Sequence, residues 1–250
     1  MSGHSHWATI KHKKGAADAK KGKMFSKLAK GLTIAARDGG SDPDSNLALK
    51  YAIDRARAAN MPRDNIERAI KKGTGEIEGV NYEEVTYEGY GAGGVAIMVR
   101  VVTDNRNRTS GEMKKLFERH GGSIGRTGCV AWQFHTRAFV TVDAAKYEED
   151  KVLEAALDGG AEDLASTGET YEITGPVESL GAIRKALAAA SIEVASAEVT
   201  SLPSARVELD AATGQKALAL LSALEDHDDV ESTTTNLDVT DEMMSAGEGG

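Results

Sequence analysis

The sequence predicts an α+β fold: an N-terminal three-helix domain followed by two α/β domains, the third ferredoxin-like and inserted in the second. Three observations predict it. Apolar residues recur at helical spacing through roughly the first third of the chain. Strand-like segments punctuated by glycine begin near Asn81. Residues 138–200 then alternate in the order βαββαβ, the split βαβ unit. At 250 residues the chain is too long for one small core and suggests about two or three domains.

The first helix is expected over Lys20–Asp38. Met24, Phe25, Leu28, Leu32, Ala35 and Ala36 fall on one arc about 120° wide, and Lys20, Lys23, Lys27, Lys30 and Arg37 on the opposite arc. Gly22 and Gly31 weaken this helix by about 1 kcal/mol each relative to Ala, so residues before Gly22 can form a separate arm. Gly39-Gly40 supplies its stop. A second helix fits Ser45–Ala59, ending at Asn60. A third starts at Pro62, which suits a first helical position, with Asp64 in its first turn. Three short amphipathic helices can bury one another as a small bundle.

Strands are expected at Asn81–Tyr87 and Val95–Thr103, a helix at Thr109–His120, and a strand at Val130–Phe134. The βαββαβ unit reads as Ala138–Val142, Lys146–Leu157, Glu162–Ser166, Thr170–Thr174, Val177–Ala190 and Glu193–Thr200. Strand Arg206–Leu209, helix Gln215–Leu224 and strand Glu231–Val239 follow. Because the βαββαβ unit is complete by itself, the strands flanking it need each other. The economical division is therefore 1–78, then 79–136 with 204–240, then 137–203 as the insert, with 241–250 a disordered acidic tail.

Charge separates along the chain. The formal net charge is −9, yet Met1–Gly75 holds 16 Lys+Arg against 7 Asp+Glu, which is +9 and leaves −18 for the rest. Such asymmetry points to a polyanion partner at the basic end, with the acidic body confining contact to one face. Lys11, Lys13, Lys14, Lys20, Lys21, Lys23, Lys27, Lys30 and Arg37 are the candidate nucleic-acid-binding residues there. Lysines outnumber arginines among them, which favours phosphate contact over base reading. With aromatics at 5%, a base-stacking platform is not expected. Arg106 and Arg108, in the strand-to-helix loop Thr103–Thr109, are secondary candidates for phosphate contact.

Other motifs read as structure. Gly121–Gly128 lacks the Gly-Lys-Ser/Thr ending of a phosphate loop and follows a helix. His4, His6 and His12 suggest metal, but Ser2-Gly3-His4, once Met1 is removed, would offer copper only the site of any unstructured X-X-His terminus, and no metal or cofactor is expected. Asp226-His227-Asp228-Asp229 reads as a solvated turn. Cys129, the one cysteine, reads as a small buried residue without a partnering base, and it excludes an intrachain disulfide framework. No carboxylate pair has diagnostic spacing, so no enzyme is expected. The segment MSGHSHWATIKHKK lacks the apolar stretch of a secretory leader, and no apolar run approaches a bilayer span of about 20 residues. The expected setting is a reducing cytoplasm, with no membrane partner.

Several blocks resemble the YebC/PmpR family: Gly3-His4-Ser5, Trp7, Ile10-Lys11-His12-Lys13, Asp18-Ala19-Lys20, Asn60-Met61-Pro62 with Asp64-Asn65-Ile66, and Lys71-Lys72-Gly73-Thr74-Gly75. Tyr87-Glu88-Gly89-Tyr90-Gly91, Thr103–Thr109, Trp132 with Phe134, and Leu224–Val230 add to them. His6 stands where the family often has lysine, and Cys129 where it usually has a small polar residue. The resemblance implies three domains, the third inserted in the second, and no enzyme activity. It implies either a transcriptional regulator that binds promoter DNA or a translation factor on ribosomal RNA, acting where proline runs stall the ribosome. Lysine–phosphate contacts serve both alike.

Overall fold

The computed structural model describes residues 18–240, 242 and 243, with the backbone alone at residues 18–20. Helix α1 spans Asp18–Gly39, α2 Leu47–Ala58 and α3 Arg63–Gly73. α1 passes through Gly22 and Gly31 without interruption, so the expected break at Gly22 is absent. Packing outweighs propensity here: Leu32, Ala36, Leu49, Ile53, Ala56, Met61, Ile66 and Ala69 form one buried cluster. Asn46 caps α2 by accepting from the Leu49 N–H at 3.1 Å, and its amide donates to Ala35 O and Gly40 O, tying α2 to the end of α1. Asn60 takes a φ of +58° in the turn to α3. α3 lies close on α1 because Gly73 has no side chain: a Cβ there would strike the Thr33 carbonyl and the Ala36 methyl.

The first sheet begins with the hairpin β1 (Glu83–Tyr90) and β2 (Ala96–Thr103), followed by α4 (Arg106–Arg119) and the short β3 (Ser123–Ile124). The chain then leaves for a second sheet: β4 (Phe134–Asp143), α5 (Glu149–Asp158), β5 (Asp163–Ser166), β6 (Thr170–Gly175), α6 (Leu180–Ala189) and β7 (Val194–Pro203). It returns as α7 (Ala211–Glu225) and β8 (Val230–Thr235). Strand orders are β3-β1-β2-β8 and β5-β6-β4-β7, antiparallel throughout. The second is the order of a ferredoxin-like unit, interposed between β3 and β8 of the first.

Both sheets follow one plan. In each, a strand–helix–strand pair (β2-α4-β3 or β4-α5-β5) is split by another strand (β1 or β6). In each, the outer strand (β8 or β7) arrives after a second helix. The first sheet places its splitting strand first in sequence. α4 and α7 cover one face of that sheet, where Ile97, Val99, Val101, Met113, Phe117, Leu220, Leu221 and Leu224 are buried together. α5 and α6 cover the second around Val140, Val142, Val152, Ile173, Ile183 and Leu187. Phe134, at the start of β4, packs with Ala96 and Val130 on another face of the first sheet.

Four expectations are corrected. Val130–Phe134 is not a strand: Ala131–Gln133 form a single 3-10 turn and β4 begins at Phe134. The cause is the buried Glu88, whose carboxylate accepts the N–H groups of Gly128 (2.6 Å), Val130 (2.9 Å) and Ala131 (2.8 Å) and curls the loop around itself. α4 starts at Arg106, three residues early, because the Asn105 side chain caps the Arg108 N–H at 3.1 Å. Arg206–Leu209 makes one parallel bridge, Val207 to Leu237, and no strand. At the predicted tail, Met243 is buried against Gly214 of α7, so packed structure extends past residue 240.

Candidate nucleic-acid interface

Lys23, Lys27 and Lys30 recur along one side of α1 at i, i+4 and i+7, as the periodicity requires. Their ammonium groups do not form an open row. They reach across to the C-terminal end of α7 and the turn into β8. Lys23 donates to Asp226 O at 3.3 Å and pairs with Asp228 at 3.2 Å. Lys27 donates to Glu225 O. Lys30 donates to Val102 O (3.3 Å), Asp228 O (3.2 Å) and the Asp229 carboxylate (2.7 Å). The physical logic is that of a helix terminus. The last carbonyls of α7 lack intrahelical partners and carry the negative end of its dipole, and cations are favoured there.

Asp229 is the centre of this contact. Its side chain is 6% exposed. One oxygen faces Lys30; the other accepts from Arg108 (2.7 Å), Thr109 (2.8 Å) and Thr103 (3.1 Å). Burial pushes the carboxyl up, but hydrogen bonds from Lys30, Arg108 and Thr109 and the Lys30 charge outweigh it. The group is held well below the usual carboxylate range. Asp226–Asp229 is therefore a docking turn and not the solvated turn expected. The Asp229 N–H donates to His227 Nδ1 at 3.1 Å, which leaves the ring proton on Nε2 to face Glu112 at 3.0 Å.

These residues line a cleft of about 460 Å³ between α1 and the body, with Lys23, Lys30, Arg108, Glu112, His227 and Asp229 in its walls. Ligand atoms of Glu112, His227 and Asp229 lie within 4.8 Å of one another, as a metal would require. The donor set fits a metal poorly. Both Asp229 oxygens already accept hydrogen bonds, and a divalent cation would face Lys30 and Arg108 at contact distance.

The remaining candidates are dispersed. Arg37 pairs with Asp38 at 2.8 Å and donates to Tyr82 O, pinning the segment that leaves the helical bundle. Lys21 lies over the Phe25 ring at 5.9 Å. Arg106 is exposed at the first position of α4, while Arg108 is drawn to Asp229 and Asp104. The Lys20 side chain and all of Lys11, Lys13 and Lys14 fall outside the described residues. Sequence reasoning missed the carboxylate turn as the partner of the lysines. Its signal was present, since four polar residues directly after an apolar helix present unsatisfied carbonyls beside acids.

Chemical potential elsewhere is small. Burial, then the Glu88 charge, pushes the Cys129 thiol up, so it is a poor nucleophile near neutrality. Burial also pushes Glu88 up, but three backbone N–H groups outweigh it and hold the carboxyl below its ordinary value. Among the described residues no helix is long and apolar enough to cross a membrane.

Fold and site together define a class: a multi-domain α+β protein with a cationic helical unit clamped to an acidic body. Residues 5–76 match the family described as the TACO1/YebC protein N-terminal domain, and residues 82–237 the TACO1/YebC second and third domain. A "Probable transcriptional regulatory protein" of Desulfosudis oleivorans is 51% identical, over 98% of this chain and 100% of that protein. One of Geobacter sulfurreducens is 49% identical, over 98% of each. The crystal structure of a conserved hypothetical protein from Aquifex aeolicus superposes with a TM-score of 0.85 at 44% identity, covering 96% of this chain and 99% of that one. The chain belongs to the TACO1/YebC family.

Proposed function

We propose that this protein is a non-enzymatic, cytoplasmic regulator that binds nucleic acid, acting as a DNA-binding transcriptional regulator. Its helical unit contacts the phosphate backbone while the two sheet units act as an acidic scaffold. The observation that carries this reading is the segregation of charge: +9 over residues 1–75 against −18 over the remainder. Relatives at about half identity named as transcriptional regulatory proteins support it. The test is fluorescence anisotropy of the full chain on labelled promoter duplexes over a range of salt, beside sedimentation of lysate on sucrose gradients. Binding that falls log-linearly with salt, and migration away from ribosomes, is the expected result. Failure to bind duplex at about 100 mM salt, or migration with ribosomes, refutes it.

A further inference from the structure

We infer that the phosphate-contacting surface toward duplex DNA is the outer face of α3 at Arg68, Lys71 and Lys72, and that Lys23, Lys27 and Lys30 of α1 are an internal clamp. This rests on the DNA-binding reading above and names the face that serves it.

The arrangement of layers carries the argument. α1 is held on two sides: its lysine row is seated on α7 and the Asp226–Asp229 turn, and another face packs on α3 through Leu32, Ala36 and Ala69. The Thr33 hydroxyl also donates to Ala69 O at 3.1 Å. α3 therefore lies beyond α1 from that acidic turn, and its outer face points away. With Ile66, Ala69 and Ile70 inward, the point opposite the core falls between Lys71 and Arg68 on the helical wheel, and Lys72 stands to one side with its stem beside Gly79. All three are exposed. Among the described residues no carboxylate forms an ion pair with any of them: the nearby Glu67 turns back to Arg63 at 2.7 Å, and Glu76 accepts from the Thr74 hydroxyl at 2.9 Å.

Charge density fits the partner. Arg68, Lys71 and Lys72 rise about 4.5 and 1.5 Å in turn along the helix, so three cations lie within about 6 Å along its axis. One strand of B-DNA carries one phosphate per about 3.4 Å of its own axis. Like charges three and four apart repel one another, and an external anion relieves that repulsion. Lys71 and Lys72 also suit the negative end of the α3 dipole. That accounts for their sign, but not for Arg68 at mid-helix, which forms no ion pair among the described residues although Asp64 stands one turn earlier.

The experiment compares two variants of the full chain, R68Q/K71Q/K72Q and K23Q/K27Q/K30Q, by anisotropy on one labelled duplex and by thermal unfolding. The face predicts a log K against log salt slope shallower by about 2.7 in R68Q/K71Q/K72Q. Between about 50 and 200 mM salt that variant then loses about 40-fold less affinity than wild type. Its circular dichroism should match wild type, and R68K should retain the slope. K23Q/K27Q/K30Q should unfold at lower temperature and keep the wild-type slope. A wild-type slope in R68Q/K71Q/K72Q, or a flattened slope with unchanged unfolding in K23Q/K27Q/K30Q, overturns the assignment while leaving DNA binding standing. Tighter binding of an RNA duplex of equal length overturns DNA as the occupant. Absence of duplex binding by wild type overturns the underlying reading and this face with it.

Discussion

Replacing Asp229 by Asn tests whether the clamp between α1 and the body stabilises the fold. The change preserves shape and removes one charge. Lys30 and Arg108 can only donate, so an amide nitrogen facing either one has no acceptor, and both cations lose their counter-charge. Lys30 is 16% exposed and cannot recover full hydration in place. Removing one partner of a buried pair costs about 3–5 kcal/mol. Arg108, at 43% exposed, regains water and lowers that cost. About 3 kcal/mol is therefore expected, a fall in unfolding midpoint of about 6–12 °C for a chain of this size. Acid gives a second reading. The Asp229 carboxyl is depressed in the folded chain, so the unfolded chain takes up its proton first. Its contribution is complete above a pH of about 4 and fades as pH falls below that, toward the lower folded value. Calorimetry between pH 7 and pH 3 should show wild type beginning to lose this increment below about pH 4 and D229N lacking it throughout. A midpoint within about 2 °C of wild type at pH 7, or an equally steep acid loss in D229N, would refute the reasoning.

Three further outcomes are expected. E88Q leaves one or more of the N–H groups of Gly128, Val130 and Ala131 without an acceptor, costs about 1.5–3 kcal/mol, and releases the turn that presents Trp132. In a W7F background its tryptophan anisotropy should drop, and an unchanged value counts against the capping role. G73A pushes α3 off α1 at Thr33 and should cost about 1–3 kcal/mol in urea unfolding; a neutral result means the helices are less closely apposed than described. Cys129, expected buried and found half-buried, should react with a disulfide reagent at pH 8 more slowly than a free thiol; a rate equal to free cysteine refutes the raised thiol.

What could be read from the sequence was local. α1–α3, α5–α7 and the order of the inserted unit follow from apolar spacing and punctuation by proline and glycine, forces that act within a few residues. The errors arose where distant residues decide the outcome. Val130–Gln133 has strand composition, yet Glu88, some forty positions earlier, takes its N–H groups and bends it into a turn. Apolar spacing alone starts α4 late, because the Asn105 side chain, of loop composition, is the cap that begins the helix at Arg106. The lysine arc of α1 stands where the spacing predicts, and Lys23, Lys27 and Lys30 face the body. A helical wheel separates charged from apolar but cannot say that an acidic turn about two hundred residues later closes over the charged side. Arg68, Lys71 and Lys72, left open by that closure, carried no distinguishing signal among the sixteen basic residues of the first seventy-five.

Inserting one sheet within another imposes a timetable on biosynthesis. β2 leaves the ribosome as Ala-Ile-Met-Val-Arg-Val-Val-Thr, an apolar strand, and its neighbour β8 follows about 130 residues later. At about 5–20 residues per second that edge waits roughly 7–26 s. Its backbone is meanwhile a template for any stray strand. The insert can mature alone in that interval, since its pairings are all internal to residues 134–203. The segment that finally shields the edge also brings Asp226–Asp229. Completion of the first sheet and capture of the N-terminal helix are therefore one late event, and a nascent chain halted before residue 225 would have neither.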